Sequence, residues 1–221
     1  MAPTRVTLAS SDHQIYDDTR MTSLPKLRAL MVDVDGVLIV PRPGGWAADM
    51  EADLGLSRAA LDEHFFAVHW TDVMLGRAGL HERLSPVLSK IAPHITSEQL
   101  VAYWFARDAV LDDVLLEDLA QFRAQGIELH LATVQEHLRA EHLWSTVGFR
   151  QRFDAMHYAA DLGCGKPDPA FFAAVQARTR FAPAEMLLID DMAKNIAAAR
   201  AAGWGGLHWT GERRLRDLLD L

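Results

Sequence analysis

Two spacings of apolar residues alternate along this chain. Short apolar runs at 27–39, 127–133, 153–158, Met186–Asp190 and 206–209 each read as a strand. In the second run Ile127, Leu129 and Leu131 share one face, as strand geometry requires. Between the runs, apolar residues recur at three and four, the helical period. Helices are predicted over 115–125, stopped by Gly126; over 135–147, stopped by Gly148; over 169–178; over 193–202, stopped by Gly203; and over 212–221. Strand and helix in alternation predict an α/β fold with a parallel sheet and helices on both faces.

The alternation is interrupted once. From Trp46 to about Asp108 only helical spacing occurs. A helix is expected over 57–66, with Ser57 as its N-cap behind a helix end at Leu54-Gly55. Two more are expected, Leu80–Ile91 and 97–105, the latter with Ser97 in the cap position. Pro41-Arg42-Pro43-Gly44-Gly45 breaks regular structure and reads as a hinge, with a second hinge near 108–113 where the chain returns. The expected organisation is a flexible N-terminal tail over 1–24, a Rossmann-like α/β core over 25–43 and 113–221, and a helical insert over 44–112. Met21 offers an alternative start within the tail.

Composition narrows the picture. The chain has 221 residues, 50% hydrophobic, enough for one large core with an inserted subdomain. A formal charge of −8 gives no basic footprint for nucleic acid, and no apolar run reaches the length of a membrane span. The N-terminus lacks the apolar stretch of a secretion signal. Cys164 is the one cysteine, so no intrachain disulfide is possible, and a cytoplasmic location is expected. A monomer or homodimer is expected, with no nucleic-acid or membrane partner.

Charge placement changes the picture most. Asp33 and Asp35 end the first apolar run, one residue apart and followed at once by Gly36. Strand alternation sends both carboxylates to one side, where they repel unless a cation compensates. Thr133 ends the next run, and Asp190 and Asp191 end another. Lys166 stands among the prolines of Gly165-Lys166-Pro167-Asp168-Pro169. In open parallel sheets, ligands bind beyond the carboxyl ends of the strands. A hydroxyl, an ammonium and four carboxylates there would repel a phosphate alone, but with Mg²⁺ they make a phosphoryl-transfer site.

The order Asp-Val-Asp-Gly-Val, a strand-end threonine, Gly-Lys-Pro-Asp-Pro and Ile-Asp-Asp-Met-Ala-Lys-Asn resembles the haloacid dehalogenase-like superfamily from about Leu27 onward. The place of the helical insert is similar to that in its C1-capped, phosphatase-like members. The resemblance implies a Mg²⁺-dependent phosphomonoester hydrolase acting on a small phosphorylated metabolite. It makes Asp33 the nucleophile that forms an aspartyl-phosphate, and Asp35 the general acid and then base. Lys166 neutralises charge, and Thr133 with the backbone N–H at Val134 holds phosphoryl oxygens. Asp33, the Asp35 carbonyl, and Asp190 or Asp191 bind the metal, with Asn195 supporting that loop. Val134 departs from the pattern, which usually has asparagine after the hydroxyl residue. Arg77 is the preferred insert residue for an anionic substrate.

Two other functions share these motifs: a phosphosugar mutase of the β-phosphoglucomutase kind, and a non-catalytic binding protein on the same fold. A dehalogenase is disfavoured by Asp35. Elsewhere the sequence reads plainly. His130 is a hydrogen-bonded packing residue, His137 and His142 do not share a helix face, Asp112 and Asp113 form a helix start, and Cys164 has no neighbouring base.

Overall fold

The computed structural model describes residues 27–219; the expected tail over 1–24, Met21 and the last two positions lie outside the described residues. Strand β1 (Ala29–Val32) is the middle of the molecule, and all four of its residues are fully buried. An insert follows, with helices α1 (Met50–Leu54), α2 (Arg58–Leu61), α3 (Ala67–Met74), α4 (Leu80–Ile91) and α5 (Ser97–Arg107). Then come α6 (Asp113–Ala124), β2 (Glu128–Thr133), α7 (His137–Glu141), β3 (Ala155–Tyr158), α8 (Ala159–Leu162) and α9 (Pro169–Thr179). The chain continues through β4 (Met186–Asp190), α10 (Ala193–Ala201), β5 (Gly205–His208) and α11 (Leu215–Leu218).

The five strands form one parallel sheet in the order β3-β2-β1-β4-β5, with Ala29 level with Glu128 on one side and Met186 on the other. Period-2 alternation divides the sheet between two cores. Leu30, Val32, Leu129, Leu131, Leu187 and Ile189 pack against Leu119 and Phe122 of α6. Ala29, Met31, Ala132 and Leu188 pack against Phe171, Phe172 and Val175 of α9 and Ile196 of α10. This is the expected α/β architecture with helices on both faces.

Several elements differ from expectation. The first strand stops at Val32 instead of continuing to 39. The Val34 carbonyl accepts the amides of Leu38 and Ile39 at 2.9 and 2.8 Å, so the chain curls directly after Asp33. Val37, Leu38 and Ile39 are buried, but in this turn rather than in the sheet. Thr96, not Ser97, caps α5: its hydroxyl accepts from Gln99 N–H at 3.2 Å and the Gln99 side chain accepts from Thr96 N–H at 2.9 Å. The last helix shrinks to Leu215–Leu218, with Arg214 before it turned onto the buried Asp118 carboxylate. The helix expected over 57–66 runs on to Met74 through a π turn at Asp62–Phe66, and Ser57 caps it as expected.

The insert has a hydrophobic cluster made of its own residues, including Met50, Phe65, Leu84, Leu88 and Leu100. Trp46 and Trp104 stack within it, their ring centroids 4.8 Å apart. Its two connections to the sheet run side by side, with Val40 N–H donating to Val110 O at 2.8 Å and Asp112 N–H to Leu38 O at 2.9 Å. No helix among the described residues is long and apolar enough to cross a membrane.

Candidate active site

The charged residues singled out from the sequence lie at the carboxyl ends of β1 and β4 and in the turn before α9. Asp33 N–H donates to Ile189 O at 2.9 Å, which pins the residue after β1 to the end of β4. Its carboxylate accepts from Val34 N–H at 2.8 Å and faces the Lys166 ammonium at 3.0 Å. The Lys166 side chain is fully buried, and its second partner is Asp190 at 2.5 Å. Asp190 is itself fully buried, accepting from Met192 N–H at 2.8 Å and from the Asn195 amide at 2.9 Å. Oxygens of Asp33, Asp190 and Asp191 lie within 4.8 Å of one another. Gly36 makes room for this: it has φ +78°, and a Cβ there would stand 2.5 Å from an Asp191 oxygen.

Two buried carboxylates, Asp33 and Asp190, therefore share one ammonium, with the half-buried Asp191 carboxylate beside them. Burial pushes the Asp33 carboxyl up to about 6; Lys166 opposes the shift and Asp190 adds to it. Burial and then the Asp190 charge also raise Asp191. A cluster with excess negative charge, all-oxygen donors and no thiolate or imidazole suits a hard divalent cation.

The Asp35 carboxylate stands outside this cluster. The strand ends at Val32, so strand alternation does not govern where this carboxylate goes. Its side chain is 50% exposed and meets Arg139 Nη2 at 2.8 Å and the Gln135 amide at 2.6 Å. The Asp35 carbonyl, the group expected to bind the metal, is separate from this carboxylate. Thr133 is buried at the end of β2, and its hydroxyl accepts from Gln135 at 3.2 Å. Val134 packs against Gly165. The polar group that Val134 lacks is present one residue later, in the Gln135 carboxamide.

A cavity of about 480 Å³ opens above Asp35. The core lines it with Gly36, Val134, Gln135 and Arg139, and the insert with Trp70, Met74, Trp104 and Asp108. None of the three clustered acids lines this cavity, but Gly36 in its wall lies against Asp191; a larger hollow of about 740 Å³ between α6 and residues 151–153 has no such link to them. Arg77 does not line the cavity over Asp35; it is 60% exposed and faces Asp72 at 3.5 Å. Arg139 and Gln135 were not singled out from the sequence, and Asp108 stood there only as the end of the insert. One signal was available: Gln135 and Arg139 are four apart at the start of a helix that follows a strand-end threonine, so they share a face. The remaining histidines and the cysteine read as before. His137 meets the Tyr158 hydroxyl, His142 packs on Phe105, and burial raises the Cys164 thiol.

A sheet with its acids at the carboxyl end and an insert above them defines the class, and sequence comparison agrees. A family model for haloacid dehalogenase-like hydrolases matches residues 27–203, and the chain belongs to that family. It is 28% identical over 190 residues to phosphoglycolate phosphatase of Pectobacterium atrosepticum, covering 83% of this chain and 80% of that one. It is 27% identical over 128 residues to validoxylamine A 7'-phosphate phosphatase of Streptomyces hygroscopicus subsp. limoneus, covering 55% and 60%. Among solved structures, a HAD family enzyme from Bacteroides thetaiotaomicron in its magnesium complex superposes with TM-score 0.73 at 18% identity, over 87% of this chain and 98% of that one. A HAD-like hydrolase from Porphyromonas gingivalis gives TM-score 0.72 at 20% identity, over 88% and 97%.

Proposed function

We propose that this chain is a Mg²⁺-dependent phosphomonoester hydrolase working through an aspartyl-phosphate on Asp33. The observation that carries the reading is the cluster of Asp33, Asp190 and Asp191, the first two buried and paired with Lys166, with its excess negative charge. Asp33, Asp190 and Asp191, with the Asp35 carbonyl, would hold the ion, which when bound cancels their charge and draws charge from the phosphoryl oxygens. An Asp33 oxygen attacks phosphorus and the bond to the ester oxygen breaks. Asp35 gives its proton to the departing alcohol. The Asp35 carboxylate then takes a proton from water, whose oxygen attacks phosphorus, and phosphate leaves as Asp33 is restored. Lys166 keeps Asp33 ionised for attack, against the effect of burial. Thr133 and the backbone N–H at Val134 hold phosphoryl oxygens.

The insert serves as a C1 cap that moves on the paired connections at 38–40 and 110–112, shedding water for the first step and admitting it for the second. Its aromatic wall, Trp70 and Trp104, meets the leaving group. Among the described residues, the one lysine or arginine lining this cavity is Arg139, already engaged by Asp35 and Asp108. A neutral, polyhydroxylated phosphate fits this lining better than phosphoglycolate, whose carboxylate would need a free cation.

The test is inorganic phosphate release from a panel of sugar phosphates, glycerol phosphates and phosphoglycolate, with Mg²⁺ and with Asp33→Asn as control. No Asp33-dependent release from any member would sink the hydrolase reading. A kcat/KM highest for phosphoglycolate would sink the cavity argument alone.

A further inference from the structure

Arg139 is the most heavily used side chain near the site, yet it touches none of the three clustered acids. Only 6% of it is exposed. A buried guanidinium is costly unless its donors are matched. Here they are matched by groups from two parts of the chain. Toward the sheet, Nη2 meets Asp35 Oδ1 at 2.8 Å and Nη1 meets Asp35 Oδ2 at 3.4 Å, a two-pronged grip that fixes the carboxylate plane. Toward the insert, Nη2 meets the Asp108 carboxylate at 3.1 Å and its carbonyl at 3.3 Å. Asp108 follows α5 and accepts the Trp104 indole N–H at 3.1 Å. On the other side, Gln135 accepts from Arg139 at 3.4 Å and donates to Asp35 and Thr133. One continuous polar chain thus runs from the aromatic wall of the insert, through Asp108 and Arg139, to Asp35 and the end of β2.

We propose that Arg139 is the positioning residue of this site: it sets the orientation of the Asp35 carboxylate and ties that orientation to the seating of the insert through Asp108. The inference rests on the reading of Asp35 as proton donor. If the insert swings away, Asp108 and Trp104 move with it, and Arg139 loses one of the two carboxylates that hold it. Asp35 then loses its fixed aim. Proton donation is thereby confined to the arrangement in which the leaving group is covered.

The test compares leaving groups in the full chain with Mg²⁺. An alkyl phosphate such as glycerol phosphate needs its alcohol protonated, whereas p-nitrophenyl phosphate expels a stable phenolate without help. Arg139→Met should lower kcat/KM for the alkyl phosphate about 10- to 100-fold and for p-nitrophenyl phosphate less than about 3-fold. Slowed hydrolysis of the aspartyl-phosphate should also produce a burst of p-nitrophenolate. Arg139→Lys keeps the charge but offers a point contact, and should recover part of the alkyl rate. Asp108→Asn should act in the same direction but more weakly, and add little on top of Arg139→Met. Equal losses on both substrates would mean that Arg139 only holds the fold together, and would overturn the proposal. If Arg139→Met does not fold, Arg139→Lys and Asp108→Asn carry the same readout, and an unchanged leaving-group ratio in both overturns it equally. Asp35→Asn separates the two readings. If it spares the alkyl phosphate, Asp35 is not the proton donor; if it shows the leaving-group dependence and Arg139→Met does not, only the role of Arg139 falls.

Discussion

At the carboxyl ends of β1 and β4, two carboxylates share one ammonium and a third stands beside them. On the face of the same sheet that Phe181 covers, the buried His130 and His157 form a second polar chain that ends on the half-exposed Glu128. His130 Nε2 meets Glu128 at 3.0 Å and His130 Nδ1 meets His157 Nε2 at 3.0 Å, with the rings nearly parallel at 11°. A carboxylate only accepts, so His130 carries its proton on Nε2, and its Nδ1 accepts from His157. The chain ends in solvent at Glu128, whose charge needs no buried partner, and among the described residues only His157 Nδ1 of these ring nitrogens is left unbonded. The first cluster differs: its Asp33 carboxyl is pushed up to about 6 by burial, and excess negative charge remains. The contrast teaches that burial of polar groups does not mark a site. Charge left uncancelled beside a cavity does.

The largest effect should come from removing the charge that cannot be cancelled. Asp33→Asn should lower phosphate release below about a thousandth of the parent rate, because the amide cannot attack phosphorus. Circular dichroism should show the fold intact. Metal-free stability at pH 7 should rise by about 1 kcal/mol, since the raised carboxyl opposes folding above its pKa. Chelation should come next. EDTA should stop turnover, and Mg²⁺ should restore it and raise Tm; an Asp190→Asn variant should show no such rise. Full activity in excess EDTA would make the two polar clusters alike, both self-sufficient. Lys166→Met should then cost about 3 kcal/mol in urea unfolding at pH 7, because two buried carboxylates lose their partner. That cost should shrink near pH 5, where Asp33 takes a proton.

What was legible in the sequence divides along a similar line. Strand β4 and helix α4 have the ends that their apolar spacing predicts, β4 because Glu185 and Asp191 bound it, α4 because Gly79 opens it and Pro93 follows its end. The charged cluster was legible because each acid sits at the end of an apolar run. β1 was overread: Val37, Leu38 and Ile39 are as apolar as a strand, and burial in a turn leaves the same trace. Arg139 and Gln135 were missed because their partner Asp35 lies 104 and 100 positions away, and alone they look like solvated helix residues. Arg77 has the charge expected of a substrate contact, but it stands exposed beside Asp72 and does not line the cavity over Asp35.

The smallest effect on activity tests the other half of the comparison. His157 is 5% exposed, and burial, then the neighbouring His130, lower its pKa from 6.5 to about 4. Its Nδ1 has no hydrogen-bond partner among the described residues, so a second proton would sit on an atom that nothing receives. Above pH 6.5 the folded and unfolded rings are both neutral and contribute no slope. Between 6.5 and about 4 the unfolded chain binds a proton that the folded chain refuses, so stability falls as pH falls. Below about 4 the loss levels off at roughly 3 kcal/mol. Other carboxylates titrate in the same window, so the parent curve alone does not isolate this ring. His157→Gln does, since its amide can still donate to His130 without gaining charge. Urea unfolding of both proteins from pH 7 to 4 should give a difference curve that grows toward acid. Phosphate release at pH 7 should stay within about 2-fold of the parent, as for a packing residue away from any site. A flat difference curve would mean that the pair accepts a proton at little cost. A large loss of turnover would mean that the neutral chain serves the charged one.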